Sequence, residues 1–193
     1  MPPIGRFAPS PTGPLHFGSL LAALASYLDI RARQGRWLLR IEDLDPPREQ
    51  PGAADSILRT LDAFGLHWDG EVVYQSRRHG LYQAALEQLI QQNTAYPCRC
   101  SRKQLSARGV LGYDGYCLKH PPQSLTDIAW RVRHTCADQQ FEDRIQGPRH
   151  YHWRGHEGDF VVFRRDGLFA YQLAVVVDDA EQGITEVLRG SDL

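Results

Sequence analysis

Two groups of side chains in this 193-residue chain have types and spacings that could do chemistry. The first is the stretch SPTGPLHFGSL, residues 10–20, which sets His16 among two prolines and two glycines just before a long Leu/Ala-rich segment. Pro11 and Pro14 fix a turn in advance, while Gly13 and Gly18 let backbone come close to a ligand. A helix starting there presents unpaired N–H groups and a partial positive charge, worth about 0.3–1 kcal/mol to an exposed anion. The combination reads as a phosphate seat with an imidazole donor at its mouth. For His16 alone a surface histidine is the plainer reading; for the whole stretch it is not. The second group is Cys98 and Cys100 with Cys117 close behind. In a reducing compartment such clustering favours a metal over disulfides, and the thiols suit tetrahedral Zn²⁺, with a fourth ligand still to be found. Three reduced surface cysteines are the alternative. Cys136 stands apart and reads as a buried or idle thiol.

Positioning the turn falls to a strand over 4–8, a helix over about 15–33 and a strand over 37–41. The helix carries Phe17, Leu20, Leu21, Leu24, Tyr27 and Leu28 at helical spacing and is closed by Gly35. Strand, turn, helix, strand is a βαβ unit, with parallel pairing and a right-handed crossover. Its carboxyl edge, where the turn lies, is where open α/β folds bind ligands. Two more helices are expected, over 53–64 and 80–92. The middle, 94–158, holds the clustered cysteines, most of the histidines and few long apolar runs, and reads as an insertion containing one strand, 128–132. Beyond it come a strand over 159–164, a turn over 165–167, an apolar run over 168–177 compatible with strand or helix, and a short strand over 185–188. The expected organisation is a first half of the main domain in 1–93, the insertion in 94–158 and a return in 159–193.

Composition sets outer bounds. With 42% hydrophobic residues the chain can bury a sizeable core, and 22 basic against 23 acidic residues give a net charge of -1, which advertises no polyanion partner overall. No apolar run approaches the roughly 20 residues of a membrane span, and the N-terminus lacks a basic segment followed by a long apolar stretch. The expectation is a cytoplasmic protein with no membrane association, a monomer.

Residues 6–19, Arg6-Phe7-Ala8-Pro9-Ser10-Pro11-Thr12-Gly13-Pro14-Leu15-His16-Phe17-Gly18-Ser19, resemble the first signature of class I aminoacyl-tRNA synthetases of the glutamate type. Ser19 stands where the general motif has a second histidine. Four further segments resemble the same family in the same order: 39–45 with Glu42, 165–171 with Tyr171, 177–179 with Asp178 and Asp179, and 188–192 with Arg189. The G-x-G-x-x-G of a dinucleotide site is absent. The resemblance implies an α/β fold: a Rossmann-like parallel-sheet catalytic domain of class I aminoacyl-tRNA synthetases with a zinc-containing insertion.

The resemblance also implies a chemistry. L-Glutamate carries two carboxylates and one ammonium, so its pocket needs cationic and anionic partners. The family's pattern puts Arg6 and Arg189 on carboxylates, Glu42 on the ammonium and the Tyr171 hydroxyl in the pocket, with Phe7, Ala8, Pro9 and Ser10 lining it. ATP with Mg²⁺ is the second substrate, and His16, Gly18 and Ser19 form the catalytic turn. The cysteine pattern is similar to that of the family branch that modifies queuosine in tRNA(Asp), which implies Cys98, Cys100, Cys117 and Tyr113 as zinc ligands. His120 and Tyr116 stay open as rivals to Tyr113. That branch attaches glutamate to the queuosine base at the wobble position; a fragment of an ordinary glutamyl-tRNA synthetase and a non-catalytic zinc-stapled binding module are the alternatives. The family's lysine-bearing loop follows the Arg189 segment, so ending at Leu193 leads to the expectation of a truncated chain with impaired ATP activation.

Overall fold

The computed structural model describes residues 2–109, 112–136 and 138–190. It divides into two compact units, one of residues 1–81 with 174–193, the other of residues 82–173. Among the described residues no helix is long and apolar enough to cross a membrane.

The first unit is built on β1 (Ile4–Phe7) and β2 (Arg36–Ile41), joined through α1 (Phe17–Ala32). The two strands run parallel with Ile4 opposite Arg36 and Phe7 opposite Leu39, as the strand-turn-helix-strand order requires. A short β3 (Val73–Tyr74) extends the sheet on the far side of β2 after α2 (Ala53–Ala63). Beyond β1, the expected strand over 185–188 is reduced to a parallel bridge between Gly5 and Glu186, with Thr185 and Glu186 amides donating to the Ile4 carbonyl.

Side chains alternate across a strand, and here the alternation separates two kinds of chemistry. Phe7, Trp37, Leu39 and Ile41 point to one face and pack with Ala23 and Ile30 of α1 and Ile57 and Leu61 of α2. Each large apolar side chain buried there is worth about 1.5–3 kcal/mol. Trp37 stacks on Phe7 and donates its indole N–H to the Ser26 hydroxyl, so its polar edge is satisfied. Gly5 lets α1 seat tightly, since a Cβ there would lie 2.5 Å from Ile30. The opposite face carries Arg6 and Arg40, both buried, with Glu42 just past the end of β2.

α6 (Tyr171–Glu181) resolves the ambiguous apolar run as a helix, and its last two turns, from residue 174, belong to the first unit. The run is too long and too regularly periodic in its buried Leu173, Ala174 and Asp178 to form a strand.

The second unit begins within α3 (His79–Gln91). Its core is an antiparallel sheet of β4 (Ala95–Cys98), β5 (Ala129–Val132) and β8 (Val161–Phe163), in that order. The strand expected over 159–164 is β8, and it pairs with β5 within the second unit. Short helices α4 (Arg102–Ala107) and α5 (Tyr116–Lys119) follow β4, and a hairpin of β6 (Asp138–Asp143) and β7 (Gly147–His152) follows β5.

Candidate functional site

On the charged face of the first sheet, buried guanidinium and carboxyl groups alternate. Arg6 donates from Nε and Nη2 to the two oxygens of Asp179, at 3.3 and 3.4 Å. Arg40, with a side chain 0% exposed, places Nη2 2.7 Å from Asp179 Oδ1 and 3.5 Å from Glu42 Oε1, and donates from Nη1 to Gln182 Oε1 at 2.6 Å. Asp178, also 0% exposed, accepts from Gln75 Nε2 and Arg78 Nε, each at 2.7 Å. The order along the face is Arg6, Asp179, Arg40, Glu42. Burying a charge is tolerated only where a partner repays the lost water, and each member here has an opposite charge beside it. Glu42 is the least repaid: burial pushes its carboxyl up to about 7, against the opposing pull of Arg40 and Arg6. It therefore changes charge near neutrality and would be held ionised by a cation placed against it.

The turn into α1 differs from expectation in one respect. His16 is the N-cap of the helix, and its ring folds back instead of pointing outward: Nδ1 accepts the Ser19 N–H at 3.2 Å, and Nε2 lies 2.9 Å from Ser19 Oγ. Nδ1 accepts, so the ring proton sits on Nε2 and is shared with the Ser19 hydroxyl. Gly18 makes room for this, because a Cβ would lie 3.2 Å from the ring. The Phe17 and Gly18 amides make no hydrogen bond among the described residues and are left for water or an anion. Gly13 takes φ +151°, a conformation few residues other than glycine accept. The Glu42 amide donates to the Pro9 carbonyl at 2.9 Å, tying the turn to the end of β2. Asp43, next to Glu42, is held by the amide and hydroxyl of Ser76.

Other sequence-named residues are placed separately. Ser10 is exposed, and its carbonyl accepts the Thr12 N–H. Arg189 is exposed and makes no ion pair among the described residues, while Ser191 and Asp192 of the same segment lie outside them. Tyr171 opens α6 in the second unit and is exposed. Arg40, Asp178 and Asp179 lie in family-like segments but were given no partner or contact from sequence. An arginine inside the apolar run Trp37-Leu38-Leu39-Arg40-Ile41, and two aspartates within another apolar run, were the available signals, since buried charges demand partners.

The second unit brings Cys98, Cys100 and Cys117 together, their sulfurs all within 4.8 Å of one another. Cys100 and Cys117 Sγ are 3.5 Å apart, and the Tyr113 hydroxyl oxygen lies 3.5 Å from Cys98 Sγ and 4.0 Å from Cys100 Sγ. With metal–sulfur bonds of about 2.3 Å, a tetrahedron has edges of about 3.8 Å, so three sulfurs and this oxygen fit one four-coordinate ion. Of the alternatives, His120 turns Nδ1 to the Tyr116 carbonyl and stacks on the exposed Tyr116 ring. Arg131 Nε and Arg108 Nη2 donate to Cys98 and Cys100 at 3.3 and 3.4 Å, counter-charges for thiolates. Arg131 also lies over the Tyr113 ring at 4.1 Å. Burial pushes the Cys100 thiol up to about 11. In Cys117 burial acts in the same sense but is outweighed by hydrogen bonds from Tyr113 and the Arg99 backbone, so its net shift is downward. Cys136 is exposed and donates to the Asp138 carbonyl, apart from the cluster.

Residues 4–193 match the profile of the family described as tRNA synthetases class I (E and Q), catalytic domain. The chain is similar to proteins named Glutamyl-Q tRNA(Asp) synthetase. That of Chromobacterium violaceum is 59% identical over 98% of this chain and 65% of its own length. That of Escherichia coli K12 is 56% identical over 98% of this chain and 61% of its own. The crystal structure of a glutamate tRNA ligase from Elizabethkingia meningosepticum, in complex with its amino acid, has a TM-score of 0.85 at 28% identity, covering 100% of this chain and 44% of that one. The chain thus spans less than two-thirds of the length of the curated relatives it matches.

Proposed function

The chain belongs to the catalytic-domain family of class I tRNA synthetases for E and Q, and from that premise we propose that it serves ATP-dependent activation of L-glutamate and its transfer to the queuosine base at the wobble position of tRNA(Asp). The observation that carries the reading is the high identity, along nearly the whole chain, to relatives bearing that name. The buried Arg6 and Glu42 supply the chemistry that such a substrate asks for.

In this reading the glutamate α-carboxylate attacks the α-phosphorus of ATP, the bond to the bridging oxygen breaks, and pyrophosphate leaves. Little covalent work falls to the protein; it positions charge. Glu42, ionised by the approaching ammonium, holds that group. Arg6 and Arg189 grip carboxylates, for which the planar guanidinium fork is suited. The 7–10 backbone lines the pocket. His16 exchanges its Ser19 contact for a phosphate oxygen, donating the Nε2 proton, while the Gly18 amide and the Ser19 hydroxyl face the same anion. Mg²⁺, arriving with ATP as substrate, would supply charge screening to the triphosphate. Zn²⁺ is the ion assigned to Cys98, Cys100, Cys117 and Tyr113. When bound it supplies folding free energy to the second unit.

The test offers labelled glutamate and ATP to the full-length form of the protein with tRNA(Asp) containing queuosine, tRNA(Asp) lacking it, and tRNA(Glu), beside the Chromobacterium violaceum relative. Label on queuosine-bearing tRNA(Asp) alone is the expected result. Label on tRNA(Glu) assigns the chain to ordinary charging, and no glutamate-dependent pyrophosphate exchange overturns the activation step.

A further inference from the structure

Asp178, Asp179 and Glu181 lie in the last two turns of α6, where the helix macrodipole disfavours anions. A sequence that breaks a local rule and repairs it with buried partners points to a use beyond helix stability. The repair is specific. Asp178 is tied to Gln75 and Arg78, with Arg40 Nε 3.7 Å from its Oδ2, and Glu181 to Arg78 Nη2 at 2.9 Å, which fixes the helix end from the β3 side. Asp179 faces the other way and is shared: it takes both Arg6 contacts and the 2.7 Å contact of Arg40, while Arg40 reaches on to Glu42. Arg6 keeps Nη1 without a partner among the described residues.

We propose that Asp179 is a positioning residue for the amino-acid pocket: it orients the Arg6 guanidinium toward a ligand carboxylate and, through Arg40, couples it to the carboxyl of Glu42. The inference rests on the reading that Arg6 and Glu42 meet the two ends of an amino acid. A bidentate grip on the Nε/Nη2 edge of Arg6 leaves the Nη1 edge as the one a ligand meets. The common bridge at Asp179 and Arg40 makes the placement of the cationic and anionic anchors a single geometric event. The charged groups facing Glu42 are Arg40 and Arg6 on the sheet and Asp179 on α6. Asp179 is the only one of the three that raises its pKa.

The experiment is calorimetric titration of L-glutamate into the full 193-residue chain from pH 5.5 to 8.5, for the wild type, Asp179→Asn and Asp179→Glu. Wild-type affinity is expected to rise with pH and level off near 7, as Glu42 loses its proton. Asp179→Asn is expected to weaken binding at the plateau by about tenfold, the scale of a lost charged hydrogen bond, and to move the midpoint to lower pH because an anion beside Glu42 is gone. A merely structural role lowers the melting temperature but leaves the plateau affinity of the folded protein where it was. Asp179→Glu keeps the charge but displaces it, so the midpoint stays and affinity falls at least threefold; this variant decides should the Asn form not fold. Wild-type affinity and midpoint in either folded variant overturn the inference, and tighter binding by Asp179→Asn shows that Asp179 competes with the ligand instead. If the wild type binds no glutamate, the pocket reading itself falls, and this inference with it.

Discussion

The two units each concentrate polar chemistry in a buried cluster, and the clusters reach stability by opposite routes. In the first, guanidinium and carboxyl groups from β1, β2 and α6 neutralise one another, so the arrangement needs no visitor to hold its shape. In the second, three thiols and a phenol crowd together with only weak hydrogen bonds among them. That crowding becomes strongly favourable once the donors lose protons and share a cation. A self-paired site trades partners when a ligand arrives; a donor cage is empty of purpose until filled. The first cluster predicts modest, pH-dependent binding effects, and the second predicts folding effects.

The comparison breaks most visibly on metal removal. Zinc analysis is expected to find about one ion per chain. Chelation or Cys117→Ser is expected to cost several kcal/mol in the second unit, seen as early loss of its ellipticity and protease resistance. Glutamate-induced stabilisation, expected of the first cluster under the proposed function, is read out separately. A metal-free chain with unchanged melting refutes the cage as a structural element. Tyr113→Phe sharpens the same point: if the phenol oxygen is a ligand, zinc affinity falls by ten- to a hundredfold while Cys98, Cys100 and Cys117 stay in place.

Glu42→Gln probes the other cluster in the opposite sense. The folded carboxyl sits at about 7, above its ordinary 4.5. Native protein thus binds more protons than unfolded chain between those values, and stability falls as pH rises through that window. The penalty is absent below about pH 4.5 and fully present above about 7. The Gln variant carries no such penalty, so at pH 8 it is expected to melt higher than the wild type by roughly 5 °C, corresponding to about 2–3 kcal/mol, with little difference at pH 5. Its glutamate binding is expected to fall a hundredfold. A variant that melts lower at pH 8 shows that the charge of Glu42 is repaid by its arginines after all.

The two clusters were also unequally legible in the sequence. Short-range signals carried the cage: Cys98, Cys100 and Cys117 are close along the chain, and the family resemblance added Tyr113, with His120 and Tyr116 left open beside it. The charge row depends on long-range register. Arg6 meets Asp179 across 173 positions, and Arg40 meets Gln182 across 142, contacts that no local pattern encodes. The βαβ core was readable because apolar spacing and turn residues agree there. Most of the second unit was not, because β4 is only four residues long with a proline inside it, and the β6–β7 hairpin is polar and largely exposed, with little of the alternation that marks a half-buried strand. The inward fold of His16 was also hidden, since histidine is not among the usual N-cap residues.

That inward fold bears on the next step down in size. His16→Ala removes both the proposed phosphate donor and a helix cap. In the full-length form, pyrophosphate exchange is expected to slow about tenfold or more, from one lost hydrogen bond to a charged group, with about 1 kcal/mol of stability lost from the cap. An unchanged rate with lowered stability leaves His16 as a cap and nothing else.

The smallest effect separates those two duties. Gly18→Ala puts a methyl group 3.2 Å from the His16 ring, close enough that the exposed ring must shift by a few tenths of an ångström. Alanine gains up to about 1 kcal/mol of helix propensity over glycine. Lengthening the 3.2 Å contact between the Ser19 amide and Nδ1 gives part of that back. The net change in stability is expected to lie within about 0.5 kcal/mol, too small to unfold anything. Rate is more sensitive than stability to where Nε2 points, because a donor misplaced by a fraction of an ångström loses its transition-state contact while keeping its ground-state one. A threefold to fivefold slower pyrophosphate exchange at unchanged melting temperature therefore ties the cap geometry of His16 to the chemistry. Equal rates in the two proteins would mean that the ring is free to find the phosphate from either position, and that the glycine serves only the turn.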